Sequence, residues 1–135
     1  MKLFANIDGA SFSNPGPSGL GVYLRDGEGK VFAEHCEHLG HGTNNRAEYM
    51  ALLRSIELAL KFGADELEVR SDSLLVVSQM NGAYKIKNPD LRVLIVEIKK
   101  RIDGSNLKFQ IVHTPREYNR EADKLAKKGA GLVKE

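Results

Sequence analysis

The sequence holds a single cysteine, Cys36, among its 135 residues. No internal disulfide can form, so a reducing compartment suits the chain. Apolar runs are short as well, none approaching the ~20 residues that span a bilayer. The opening Met1-Lys2-Leu3-Phe4-Ala5-Asn6 lacks the apolar core of a signal peptide. These absences set the expectation of a cytoplasmic protein with no membrane partner. An excess of one charge sign is missing too. Lys and Arg number 20 against 18 Asp and Glu, a net charge of +2, and that balance alone does not indicate nucleic acid. Three familiar chemical kits are absent: a GxxxxGK[ST] phosphate loop, an HExxH helix and a cysteine pair for zinc. No internal repeat, linker or low-complexity stretch stands out.

With 41% hydrophobic and 28% charged residues, the composition is that of a globular domain able to bury a core. Residues 1–135 are expected to form one domain and a monomer. Lys2 to Asp8 alternates, with Leu3, Ala5 and Ile7 on one side, and reads as a strand ending at Asp8. Asn14-Pro15-Gly16-Pro17-Ser18-Gly19 reads as a turn. Leu20, Val22 and Leu24 alternate again, and Asp26-Gly27-Glu28-Gly29 signals a hairpin into a strand from Lys30 to His38. Tyr49, Leu52, Leu53, Ile56, Ala59 and Leu60 form one helical stripe. Thr43-Asn44-Asn45 offers its N-cap and Gly63 its stop. Leu67, Val69 and Ser71 make a strand ending at Asp72, and Ser73 to Met80 a short helix. Asn88-Pro89 opens a helix carrying Leu91, Leu94, Ile95 and Ile98. Leu107, Phe109 and Ile111 form a last strand, and Asn119 to Lys128 a last helix with Ala122, Leu125 and Ala126 inward. The order β-β-β-α-β-α-α-β-α implies an α/β fold with a mixed sheet flanked by helices.

In such sheets ligands favour the carboxyl ends of neighbouring parallel strands. Asp8 and Asp72 fall at two such ends, while Glu48 and Asp123 project from helices that must pack on the sheet. Singly each acid has a bland explanation: a turn residue, an N-cap, a helix-surface charge, a lysine partner. Jointly they would repel one another and drive some toward protonation. A divalent cation removes that conflict, and hard oxygen ligands suit Mg²⁺. Two such ions roughly 3.5–4 Å apart can flank a phosphodiester. Asn14, Thr43, Asn44, Asn45 and Arg46 sit in a loop or at a helix start, where free N–H groups meet phosphates. They are the substrate-binding candidates, with turn and cap chemistry as the alternative.

These segments resemble ribonuclease H type 1. The resemblance is carried by Ile7-Asp8-Gly9-Ala10-Ser11 with Asn14-Pro15-Gly16-Pro17, by Thr43-Asn44-Asn45-Arg46-Ala47-Glu48, by Ser71-Asp72-Ser73, and by Asn119-Arg120-Glu121-Ala122-Asp123-Lys124-Leu125-Ala126. It implies a five-stranded mixed sheet with helices on both faces. It also implies Mg²⁺- or Mn²⁺-dependent hydrolysis of the RNA strand of an RNA/DNA hybrid, leaving 5′-phosphate and 3′-hydroxyl ends. Asp8, Glu48, Asp72 and Asp123 would be the metal ligands, and Glu48 would also touch a ribose 2′-hydroxyl, which distinguishes RNA from DNA. Asn14, Asn44 and Asn45 match positions that contact the hybrid; Thr43 and Arg46 match positions near the DNA backbone.

The chain departs from the family pattern twice. Gly82-Ala83-Tyr84-Lys85-Ile86-Lys87-Asn88-Pro89 crosses directly where many bacterial members insert a basic protrusion, as in the short archaeal and bacterial forms. Grip would then fall on the basic residues left, among them Lys85, Lys87, Arg92, Lys99, Lys100 and Arg101, and on Arg116, Arg120, Lys124, Lys127 and Lys128 near the end. The loop Val112-His113-Thr114-Pro115-Arg116-Glu117 lacks the family's usual glycines. The auxiliary catalytic role there stays open between Arg116, which would steer phosphate, and His113, which could shuttle a proton. His35, Cys36, His38 and His41 read as strand and loop residues, since His35 and Cys36 face opposite sides of a strand. The rival readings are a same-fold nuclease for double-stranded RNA or DNA and a non-catalytic nucleic-acid-binding module.

Overall fold

The computed structural model describes residues 1–82 and 86–131. The crossing read at Gly82–Pro89 therefore lies in part, at 83–85, outside the described residues. The elements are β1 (Lys2–Ser11), β2 (Gly16–Asp26), β3 (Val31–Gly42), α1 (Asn44–Lys61), β4 (Glu66–Ser71), α2 (Leu74–Met80), α3 (Pro89–Asp103), β5 (Lys108–His113) and α4 (Arg120–Ala130). They form one five-stranded sheet in the order β3-β2-β1-β4-β5. β1 pairs antiparallel with β2 and parallel with β4, and β4 pairs parallel with β5. This is the mixed sheet expected from the element order.

Alternation along β1 sorts the side chains between two faces. Leu3, Ala5 and Ile7 join Leu20, Val22 and Leu24 of β2 and Leu67 and Val69 of β4 on one face. All are fully buried, together with Leu52 and Ile56 of α1 and Ile98 of α3. Each such Leu, Ile or Val side chain stabilises the fold by about 1.5–3 kcal/mol when taken fully from water. α4 covers the other face with small residues. A Cβ on Gly21 would stand 2.4 Å from the Ala122 carbonyl oxygen and 2.6 Å from the Ala126 nitrogen. Only a glycine lets the helix backbone lie this close to the strand. Ala122, Ala126 and Ala130 are the buried residues of that helix.

Local signals explain most boundaries. The Thr43 hydroxyl accepts from the Arg46 N–H at 3.1 Å and starts α1. Ser73 caps α2 in the same way, and the Asn88 side chain caps α3 with Pro89 at its first position. Three expectations need correction. β1 does not end at Asp8 but continues to Ser11, because β2 pairs with it throughout. Gly16 to Gly19 belong to β2 rather than to a turn, and β3 extends past His38 to Gly42 and so includes His41. A short 3₁₀ turn, Arg116–Tyr118, precedes α4 and has no counterpart in the sequence pattern.

Candidate active site

The parallel register of β1 on β4 ends at the pair Ile7–Ser71. Asp8 and Asp72 are the next residues of each strand, so they leave the last rung of this ladder side by side. Asp8 stays in the sheet through its pairing with β2, opposite Gly21, whereas Asp72 begins the turn into α2. Glu48 comes from α1 and Asp123 from the first turn of α4. The four carboxylates line one cavity of about 390 Å³ together with Asn44, Asn45, Arg116 and Lys127.

Burial decides the electrostatics. Asp8 and Glu48 are only 8% and 4% exposed. Burial pushes the Asp8 carboxyl far above the usual carboxylate range, and the charges of Glu48 and Asp72 push it the same way. A hydrogen bond with Asp123 adds to the rise. Glu48 is likewise raised, first by burial and then by Asp72; the Ser71 hydroxyl and the Gly9 N–H oppose this by bonding its carboxylate. Ser71 Oγ donates to Glu48 Oε1 at 2.6 Å. Burial thus makes the charged forms of these two acids costly, and a cation beside them would relieve that cost. Asp123 already has one cation, Lys127 Nζ at 3.0 Å.

Among the described residues no three of the Asp, Glu, His and Cys side chains close on a point as a finished cation site. The carboxylates instead stand around an open cavity. The donor set is all hard oxygen, and among the described residues the two buried acids form no salt bridge. Both properties fit a divalent cation of the Mg²⁺ or Mn²⁺ type, which keeps several waters and needs few protein ligands.

The other candidate residues divide. Asn44 and Asn45 line the cavity. Asn14 Oδ1 accepts from the Asn44 N–H at 3.0 Å and so ties the β1–β2 loop to the start of α1. Thr43 is spent on capping α1, and Arg46 lies against Gly42, with its Nη1 buried and without a hydrogen-bond partner among the described residues. Arg116 reaches the cavity. His113 is exposed at the end of β5, opposite Ser71, and does not line it. Arg101 is occupied by Glu57 and Glu97.

Sequence reasoning missed three contributors. Lys127 was legible only as a basic residue of α4, although its place four residues after Asp123 is the spacing of a helical ion pair. Ser71 read as a strand residue, and its bond to Glu48 depends on how α1 crosses β4. Asn119 looked like a helix start, yet its side chain makes no cap bond. It donates instead to Asp72 Oδ2 at 3.0 Å and to the Ile7 carbonyl at 2.9 Å.

Comparison with known proteins follows the same lines. Residues 6–129 match the family described as "Reverse transcriptase-like". The chain is 42% identical over 125 residues to Ribonuclease HI of Halobacterium salinarum, covering 93% of this chain and 62% of that protein. It therefore spans less than two thirds of that relative's length. The crystal structure of RNase H1 from Halobacterium salinarum superposes with a TM-score of 0.92 at 40% identity, covering 98% of this chain and all of that one. LC11-RNase H1 in complex with an RNA/DNA hybrid superposes with a TM-score of 0.90 at 37% identity, covering 96% and 97% of the two chains. By these matches the chain belongs to the ribonuclease H type 1 family.

Proposed function

We propose that the protein is an endonuclease that hydrolyses the RNA strand of RNA/DNA hybrids with the help of divalent metal ions, Mg²⁺ first and Mn²⁺ as a substitute. The observation that carries this reading is the meeting of Asp8, Glu48, Asp72 and Asp123, from four separate elements, around one solvent-open cavity. The hybrid bound to LC11-RNase H1 supports the choice of substrate.

Asp8, Glu48, Asp72 and Asp123 would hold the metal. When bound, a pair of such ions supplies a nucleophilic water and stabilises the leaving 3′ oxygen, giving 5′-phosphate and 3′-hydroxyl ends. Glu48, braced by Ser71 and Gly9, is placed to read a ribose 2′-hydroxyl, the group that separates RNA from DNA. Asn44 and Asn45 offer amide donors and acceptors along the cavity wall. The Asn14–Asn44 bond holds that wall in place, and Thr43 fixes the helix N-terminus whose free N–H groups suit a backbone phosphate. Arg116 reaches the cavity from the turn before α4 and would guide the scissile phosphate through charge and paired N–H groups.

The decisive experiment is cleavage of RNA/DNA, RNA/RNA, DNA/DNA and single-stranded RNA, each with Mg²⁺, Mn²⁺ or EDTA. Cutting confined to the RNA of the hybrid, dependent on metal and leaving 5′-phosphates, is the expected result. Equal cutting of RNA/RNA or DNA/DNA would favour a same-fold nuclease of other specificity. Hybrid binding without cleavage under any metal would leave a binding module.

A further inference from the structure

Asn6 and Asn119 form a fully polar contact in a place where strands and helices normally bury apolar groups. Asn119 is completely buried and Asn6 is 6% exposed. Asn6 stands two residues before Asp8, on the same face of β1, with Tyr23 and Arg70 as its strand partners. A buried amide costs stability unless its hydrogen bonds are made, so the use of each atom can be followed.

Asn119 Nδ2 has two hydrogens, and its partners are the Ile7 carbonyl at 2.9 Å and Asp72 Oδ2 at 3.0 Å. Both partners only accept. The amide edge that faces them must therefore be the NH₂ edge, and Oδ1 must point away. There it accepts from Asn6 Nδ2 at 2.9 Å. Turned over, the amide would set its oxygen against two acceptors and its NH₂ group against the Asn6 donor. Among the described residues, Asn119 supplies the hydrogen bond to the Asp72 carboxylate.

We propose that Asn6 is a positioning residue for Asp72. By donating to Asn119 Oδ1 it locks the amide with its NH₂ edge toward the carboxylate, and so holds Asp72 in the orientation that receives a cation. Asp72 needs such a hold because it lies just beyond the end of β4, where the strand ladder no longer fixes the backbone. Partners of this outer kind commonly change metal affinity or activity by about 10–100-fold when lost. The inference rests on the metal-nuclease reading for its kinetic half only.

Two near-isosteric variants separate orientation from packing. Asn6→Asp, when ionised, puts an acceptor where the donor was and opposes Asn119 Oδ1; protonated, it still donates. Asn6→Leu keeps the volume and removes the donor without opposing anything. The measurements are the melting temperature without metal, Mn²⁺ binding by calorimetry without nucleic acid, and kcat and KM on a hybrid. For folded Asn6→Asp we expect Mn²⁺ affinity and kcat to fall by about 10–100-fold, with KM nearly unchanged and Asn6→Leu falling less. The extra negative charge of Asn6→Asp would by itself attract Mn²⁺, so a fall reports orientation rather than charge. A folded Asn6→Leu with wild-type Mn²⁺ affinity and kcat overturns the proposal, as do variants that lose only thermal stability. If Asn6→Asp does not fold, Asn6→Leu and the wild-type Asn119 side-chain amide decide by NMR. Slow exchange of both amide protons in the wild type, made fast by Asn6→Leu, supports the lock; fast exchange in the wild type refutes it. A wild type that binds Mn²⁺ yet cuts no hybrid would sink the nuclease reading, and the calorimetric arm would still decide this one.

Discussion

The two faces of the sheet are built on opposite plans. Between the sheet and α1 and α3 meet large aliphatic side chains, Leu3 and Leu67 from the strands and Leu52, Ile56 and Ile98 from the helices among them, all fully buried. Under α4 lie glycine and alanine at backbone contact, with Asn6, Asn119 and Asp8 as buried polar groups. The first face gathers apolar area and holds the molecule together. The second gathers little area but sets helix against strand within narrow limits, and Asp123 depends on that placement. Stability is thus drawn mainly from one side of the five strands, whereas the candidate site draws on both, since Glu48 comes from α1.

Substitutions can test this division. The largest effect is expected from Asp8→Asn. Cleavage should drop by more than the roughly 100-fold that loss of an outer partner can cost, with the fold and hybrid binding kept; assays of turnover beside circular dichroism would show it, and retained cleavage would remove Asp8 from the site. Ile56→Ala, on the apolar face, should cost about 2–5 kcal/mol of stability, while kcat below the melting range stays near wild type. Gly21→Ala, on the α4 face, drives a Cβ into helix backbone and should cost at least about 1–3 kcal/mol, and it should lower kcat more than Ile56→Ala does. Denaturant melts and kinetics on the two variants check this; equal losses of kcat in both would erase the contrast between the faces.

Smaller effects follow from the raised acids. Folding increases the protons held by Asp8 and Glu48, because their folded values lie above those of the unfolded chain. The stability tied to their neutral forms is full below the ordinary carboxylate range and is lost as pH rises toward the raised folded values. The melting temperature of metal-free protein should therefore drift down with pH across that window, and Asp8→Asn or added Mg²⁺ should flatten the drift. A melting temperature that climbs with pH over that window would contradict the burial argument. Smallest is the loop comparison: Arg116→Ala should slow hybrid turnover several-fold, by the order of one charge-assisted contact, and His113→Ala hardly at all. The reverse order would return the auxiliary role to the histidine.

How much of this was legible beforehand depends on distance along the chain. α1 was readable from its stripe and the Thr43 cap because both are local. The acids were readable as a set because strand ends and helix starts mark where a sheet opens. The overrun of β1 past Asp8 was not, since it is imposed by β2, whose Gly16–Gly19 carries turn residues but pairs as strand. Asn119 was seen only as a helix opener. Its bonds run to Asn6 and Asp72, residues 113 and 47 positions away, and no local pattern announces them. Arg116 and His113 stood undivided in sequence, because the 3₁₀ turn that carries one of them to the cavity follows from the packing of α4.

At Gly9 the strand and the start of α1 touch without any side chain between them: a Cβ there would stand 2.4 Å from the Glu48 nitrogen, and the Gly9 N–H bonds the Glu48 carboxylate. The separation of Asp8 from Glu48 is consequently written in peptide geometry. Drift in the surrounding aliphatic residues can soften or harden the molecule over generations without retuning that spacing, which leaves the gauge between these two buried acids inherited with the chain trace itself.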